Sequence, residues 1–351
     1  MDFQSLFNQY LKFIYRILPK PQMPTVIGFD IGTSAVKAVE MKYSGQAFEV
    51  LSWAIEPIEG AGAADALKRL CSRMNIKDQL RVASVSGKGT LIRYVDMPRM
   101  PIDELRKAFV YEVDKYFPFD PQTIYIDCCI LDAQSKEKKM PVVVVAAKKE
   151  LVDERINFFK EAGIELNYVT TNAIATANAF ERLIRNKDIT EARAILDIGG
   201  SVSNLMILDR NNSPCFTRDI FVGSQEMSKQ IANNLGVDLA KADELKRAPG
   251  DRADEIIKAC EAAIDNLTGE VHLSFDYFMT EKNSPVSDLY LVGGGSLFKG
   301  IEGIFEKSLN LPVKIWDPLT DLKLNPQVAV SEINSYSSHL GVAIGLALTK
   351  V

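Results

Sequence analysis

The chain carries one short pattern twice. Asp30-Ile31-Gly32-Thr33-Ser34 is repeated as Asp197-Ile198-Gly199-Gly200-Ser201, nearly half of the 351 residues further on. Each copy follows an apolar run, Val26–Asp30 or Ala194–Asp197, and each precedes another, Ala35–Lys42 or Asn204–Leu208. One copy alone reads as an ordinary hairpin turn, because Asp and Gly are common turn residues. Two copies, one per half, constrain the fold far more: they predict a duplicated strand–turn–strand core whose turns face one cleft. Glycines let a tight turn bring backbone N–H groups close to an anion. That makes Gly32, Gly199 and Gly200 candidate phosphate contacts, with hydroxyl donors from Thr33, Ser34, Ser201 and Ser203. Asp30 and Asp197 carry the wrong charge to face phosphate directly, so a cation between, Mg2+ with bound waters, is implied. Lys37 is a further phosphate candidate, although a regular strand after the turn can direct it away.

A third glycine turn, Gly293-Gly294-Gly295-Ser296, follows the strand Leu289–Val292 and precedes a helix over Phe298–Leu309. Such a turn lets a flat ring approach the backbone. It resembles a dinucleotide turn, but no Gly-x-Gly-x-x-Gly opens an early βαβ unit, which weakens a dinucleotide-enzyme reading. Elsewhere the patterns predict strands at Phe48–Ile55, Tyr125–Asp132 and Val142–Ala147, and a hairpin of Arg81–Ser86 with Thr90–Met97 around Gly87-Lys88-Gly89. Helices are expected at about 63–74, from Pro101 to Pro118, and at 149–161, 224–235, 239–247, 251–282 and 340–349. Strands alternating with helices place the chain in the α/β class with a partly parallel sheet.

The length favours two domains or lobes. A net charge of −5 argues against a nucleic-acid partner. The five cysteines, Cys71, Cys128, Cys129, Cys215 and Cys260, form no Cys-x-x-Cys pair and read as reduced thiols rather than a disulfide framework or zinc site. His272 and His339 are the only histidines and read as structural. No apolar run is long enough to span a membrane, and the N-terminus lacks a signal-peptide pattern. Residues 2–18 are amphipathic instead: Phe3, Leu6, Phe7, Tyr10, Phe13, Ile14 and Ile17 oppose Asp2, Gln9, Lys12 and Arg16, before Pro19, Pro21 and Pro24. That helix suits either a membrane surface or packing against the protein or a partner.

Taken in order, the two hairpins and the late glycine turn resemble the superfamily of actin, heat-shock chaperones and sugar kinases. Within it the chain is similar to the PilM family, actin-like type IV pilus assembly proteins related to the division protein FtsA. The similarity rests on DIGTSAVKAVE at 30–40, M-P-x-M-P-x-x-E-L-x-x-A from Met97, and E-V-x-x-Y-F-P-F at 112–119. It continues through DIGGSVSNL at 197–205, L-G-V-x-L-x-x-A-D-E-L-K at 235–246, and S-F-D-Y-F at 274–278. The resemblance implies an α/β actin-like ATPase fold, a duplicated ribonuclease H-like core of two lobes with subdomains 1A, 1C, 2A and 2B. The expected division is an amphipathic helix and link at 1–24, subdomain 1A at 25–80 with its return at 166–192, and 1C at 81–165. Subdomains 2A and 2B follow at 193–330, and a C-terminal helix at 331–351 returns to 1A.

The same resemblance implies ATP and Mg2+ as cofactors, with the late turn holding adenosine and Lys246, with Asp243 or Glu244, near the ribose. It implies a cytoplasmic protein peripheral to the inner membrane. The cytoplasmic N-terminal peptide of a PilN-like membrane protein would dock in a groove between 1A and 1C, beside other pilus inner-membrane and motor components. Hydrolysing relatives place Gln or Glu before the second hairpin, where this chain has Asn172, and some place an acid where it has Asn204. Asn172 cannot act as a base, so the expectation is nucleotide binding with little or no hydrolysis. The competing readings are an FtsA-like membrane-associated filament or division protein and, less favoured, a small-molecule kinase.

Overall fold

The computed structural model describes residues 25–43, 45, 47–60, 62–132, 138–183 and 191–349. The amphipathic segment 2–18 and its proline link lie outside the described residues.

The first lobe begins with three antiparallel strands, β1 (Val26–Ile31), β2 (Ala35–Tyr43) and β3 (Phe48–Pro57), followed by helix α1 (Gly62–Arg73) and strand β4 (Leu80–Val85). β4 pairs parallel to β1, and beyond it β8 (Tyr168–Thr171) pairs parallel to β4. A short β14 (Lys323–Leu324) completes the sheet, ordered β14-β3-β2-β1-β4-β8. Alternation in β1 fixes which side does what. Ile27 and Phe29 are fully buried against α1, through Leu67 and Leu70, and against Phe159 of α3 (Lys149–Glu161). Gly28 and Asp30 face the other side.

Between β4 and α3 a separate three-stranded sheet is inserted, ordered β5-β7-β6, from β5 (Thr90–Pro98), β6 (Ile124–Ile130) and β7 (Lys139–Lys148). Helix α2 (Ile102–Tyr111) covers it. The expected hairpin of Arg81–Ser86 with Thr90–Met97 does not form. β4 pairs with β1 and β8, whereas β5 pairs with β7. Gly87, at φ 99°, turns the chain out of one sheet and into the other. Residues 81–85, expected with the inserted unit, therefore pair in the six-stranded sheet. The helix begun at Pro101 ends at Tyr111, yet Val113 and Phe117 beyond it are still buried with Leu105 and Phe109.

The second lobe repeats the opening plan. Strands β9 (Ala192–Ile198), β10 (Ser203–Leu208) and β11 (Pro214–Ile220) are antiparallel neighbours. β12 (Val286–Val292) runs parallel to β9, and β13 (Val313–Ile315) parallel to β12. Helices α5 (Ser224–Leu235), α6 (Leu239–Arg247), α7 (Ala253–Ala259), α8 (Glu261–Lys282) and α9 (Ile301–Leu309) complete the lobe. The helix expected over 251–282 is broken at Cys260, which leaves helical dihedrals at φ −118°, ψ 14°. The helix expected from Phe298 starts only after Gly300, at φ 85°. A short α10 (Val330–Ser335) precedes the last helix.

That last helix, α11 (Gly341–Ala347), is buried on every side. With α4 (Asn172–Leu183) it forms a core shared by both sheets, in which Val39 and Met41 of the first lobe meet Ile195, Met206 and Val292 of the second. Close approach is possible because glycines line the contacts. A Cβ on Gly28 would fall 2.2 Å from the Ala343 carbonyl oxygen, and one on Gly345 only 1.8 Å from that of Ala175. Among the described residues no helix is long and apolar enough to cross a membrane.

Candidate functional site

The first hairpin is closed by the Gly32 N–H, which donates to the Ala35 carbonyl at 3.0 Å and leaves the Thr33 and Ser34 side chains exposed. This tight turn sets Asp30 directly opposite Lys37. Facing residues in an antiparallel pair share one side of the sheet. The Lys37 ammonium therefore reaches back to the Asp30 carboxylate at 2.7 Å rather than pointing away from the site. In the second hairpin the same register sets Asp197 opposite Asn204.

The two hairpins touch. A Cβ on Gly200 would lie 2.2 Å from the Thr33 hydroxyl and 3.0 Å from that of Ser34. A side chain at Gly200 would have to push these exposed hydroxyls aside. α5 starts directly behind the second turn, with the Ser224 and Gln225 N–H groups donating to the Gly199 and Gly200 carbonyls at 2.9 and 2.8 Å. Gly223 is forced: its Cβ would fall 2.4 Å from the Gly200 carbonyl oxygen.

The late glycine turn lies against the second hairpin. Gly293, at φ 85°, would put a Cβ 2.2 Å from Asp197 Oδ1, and Gly295 would put one 2.3 Å from an Ile198 side-chain carbon. The Gly293 N–H donates to the Ser338 carbonyl at 2.8 Å, and the next residue, His339, lays its ring against Gly294. Three glycine turns from three parts of the sequence thus converge around Asp30, Lys37 and Asp197.

Charge at this centre is unevenly compensated. Burial alone would lower the Lys37 pKa, but the charge and hydrogen bond of Asp30, with Asp197 adding, outweigh it and raise it. Asp197 is only 8% exposed. Burial pushes its carboxyl up to about 6, against the pull of Lys37 and with Asp30 repelling. Burial likewise pushes His339 down to about 4, with Lys37 and Arg247 adding to the effect. Its Nδ1 is buried without a partner among the described residues. A divalent cation would relieve the charge on Asp197, so the donor set fits the implied magnesium. No three His, Cys, Asp or Glu side chains among the described residues form a metal cage, so most ligands of such an ion would be water and phosphate oxygen.

Not every expected residue faces the cleft. Ser203 is fully buried, and its hydroxyl donates to the Val222 carbonyl at 2.7 Å. Ser296 is likewise buried, donating to the Gly293 carbonyl at 2.7 Å, so it shapes the turn. Lys246 spends its three protons on Asp243 at 3.0 Å, the Ser224 carbonyl at 2.9 Å and the Ser228 hydroxyl, which ties α6 to the start of α5. Glu244 pairs with Lys241 in solvent. Sequence reasoning read His339 as structural and did not single out Gly223. It also missed Asp219, which accepts from the Asn204 amide at 2.6 Å and from the Gly87 N–H at 3.2 Å. Asn172 and Asn204 both line a cavity of about 430 Å³ together with Gly87 and Asp219, to which none of the three glycine turns contributes. A larger one of about 840 Å³, between the inserted sheet and the turn after β10, contains none of the glycine turns.

Comparison with solved structures identifies the architecture. A structure described as the PilM–PilN type IV pilus biogenesis complex matches with a TM-score of 0.80 at 24% identity, over 92% of this chain and 97% of that one. MreB 5 of Spiroplasma citri bound to AMPPNP matches at 0.52 and 15% identity, over 93% and 95%. The fold is therefore that of the actin-like ATPases, as the sequence resemblance implies. Ethanolamine utilization protein EutJ of Escherichia coli (strain K12) is 23% identical over 152 residues, 43% of this chain and 48% of that protein, so the match spans about half of that relative's length. A family model described as type IV pilus assembly protein PilM matches residues 28–351. With nearly every described element inside that match, the chain belongs to the PilM family of type IV pilus assembly proteins.

Proposed function

We propose that this chain is an ATP-binding scaffold of type IV pilus assembly, at the cytoplasmic face of the inner membrane, which docks the N-terminal tail of a PilN-like membrane protein. The observation that carries the nucleotide half is the meeting of the two hairpins, Gly200 against Thr33 and Ser34, with the late glycine turn beside them. In this reading the backbone of Gly32, Gly199 and Gly200 and the hydroxyls of Thr33, Ser34 and Ser201 bind phosphate. Lys37 holds Asp30 and lends its charge, and Asp197 holds Mg2+ through water. Gly293, Gly294 and Gly295 form the floor for adenosine, and Lys246 with Asp243 props up the ribose side. The magnesium ion would neutralise phosphate charge. Asn172 and Asn204 offer no carboxylate to take a proton from water, and turnover needs a positioned nucleophile, so binding outlasts hydrolysis.

The partner half rests on family membership and on the related structure described as a PilM–PilN complex. In this reading the extended tail docks between the inserted sheet and the first lobe. The test is equilibrium titration of the full chain with Mg-ATP and with a labelled N-terminal peptide from a PilN-like protein. Both bind, ATP turnover stays well below about 1 s⁻¹, and Gly200→Val, which wedges the hairpins apart, removes ATP binding while leaving the peptide bound. A wild-type chain that ignores ATP, or turns it over at ordinary enzyme rates, would end this reading of the cleft.

A further inference from the structure

Cross-strand pairing sets Asn204, one residue past the second hairpin's Ser203, opposite Asp219 on β11. β11 is the edge strand of the second lobe's sheet, and β5 is the edge strand of the inserted sheet. The two edges meet through side chains rather than a backbone ladder. Asp219 Oδ1 accepts from the Asn204 amide at 2.6 Å, and its Oδ2 accepts from the Gly87 N–H at 3.2 Å. Two residues along β11, Thr217 shares a hydrogen bond of 2.7 Å with the Tyr94 hydroxyl of β5. On the other side of Asp219, one residue past the end of β11, the Lys88 ammonium sits 5.3 Å over the Phe221 ring.

Gly87 is not an arbitrary partner. It is the turn at which the chain leaves the first lobe's sheet for the inserted one. We propose that Asp219 is a latch between the phosphate hairpin of the second lobe and the pivot of the inserted subdomain. The proposal rests on the nucleotide reading above. A ligand that draws the second hairpin onto the first holds Asn204 and Asp219 in place and so holds Gly87. When the lobes part, either the Gly87–Asp219 bond and its Tyr94–Thr217 neighbour break, or the inserted subdomain is dragged along. Either way the subdomain registers whether the cleft is filled. Such coupling needs an element with two arrangements that both sites bias, and the side-chain seam between the two edge strands is that element.

Hydrogen exchange of the full chain, with and without Mg-ATP, tests this. In the wild type, ATP slows exchange in both hairpins, 30–37 and 197–204, and also in 86–95, by at least about fivefold, the low end of typical coupling between sites. Asp219→Ala and, separately, Tyr94→Phe keep the slowing at the hairpins and lose most of it over 86–95. Tyr94→Phe removes one hydroxyl and keeps the ring, so it reports even if Asp219→Ala folds poorly. Slowing at the hairpins without slowing at 86–95 in the wild type overturns the latch and leaves nucleotide binding standing. Slowing at 86–95 that survives both substitutions also overturns it. No slowing anywhere removes the nucleotide reading, and the latch with it.

Discussion

The two hairpins share the Asp-Ile-Gly pattern and the same register, yet they solve the problem of a buried carboxylate differently. Seven residues past Asp30 stands Lys37, and seven past Asp197 stands Asn204; in each case the tight turn makes the later residue the direct cross-strand partner. Lys37 closes on Asp30 at 2.7 Å. Asn204 turns its amide to Asp219 instead, and Asp197 is left with a carboxyl pushed up to about 6 by burial. A repeated motif therefore need not be a repeated environment. The first copy is a closed ion pair, and the second is an open demand for positive charge, which is the ground for proposing the cation on the second side of the cleft.

Breaking the first copy should cost most. Lys37→Met leaves Asp30 buried beside Asp197 without its hydrogen-bonded cation, and removing one partner of a buried pair typically costs about 3–5 kcal/mol. Denaturant melts at neutral pH of the nucleotide-free protein measure this. A loss under about 1 kcal/mol would show that water already compensates Asp30.

His339 sharpens the comparison from beneath. Its pKa falls from 6.5 to about 4 on folding, through burial first and then Lys37 and Arg247. The unfolded chain binds the proton more readily, so His339 lowers stability as pH drops from about 6.5 towards 4. The full penalty is about 3.5 kcal/mol at most, at roughly 1.4 kcal/mol per pKa unit. In His339→Gln this part of the acid sensitivity disappears while stability at pH 8 changes little. Melts at pH 8, 6 and 4.5 distinguish the two proteins, and parallel pH curves would refute the assignment.

The matching break in the second copy should be mildest. Asn204→Ala removes one donor to a carboxylate that keeps the Gly87 N–H, a loss of about 1–2 kcal/mol. If it equals or exceeds Lys37→Met in the same melts, the proposed asymmetry between the copies is wrong.

The sequence disclosed the hairpins because their chemistry is local: aspartate at a strand end, glycine in the turn, apolar runs on both sides. The direction of Lys37 was also within reach, since a two-residue turn at Thr33-Ser34 fixes which residues face each other. Other features depend on distant segments. Gly87 looks like the centre of a hairpin, and only the pairing of β4 with β1 and β8 reveals it as a change of sheet. Ser203 and Ser296 have the right residue type in the right motif, but neighbouring carbonyls take their hydroxyls. Asp219 carries no motif, and its importance appears only when the edges of two sheets come together. Cys260 interrupts a helical pattern that apolar spacing alone would carry through.

α11 lies between the two sheets, with backbone oxygens close enough to exclude even a methyl group at Gly28 and Gly345. During synthesis, residues 341–347 emerge after every described strand of both sheets. Until then the apolar inner sides of Val39, Met41, Ile195 and Val292 have no such helix between them. The halves must wait, exposed to chaperones or to wrong partners, until a short run of small residues arrives and joins them.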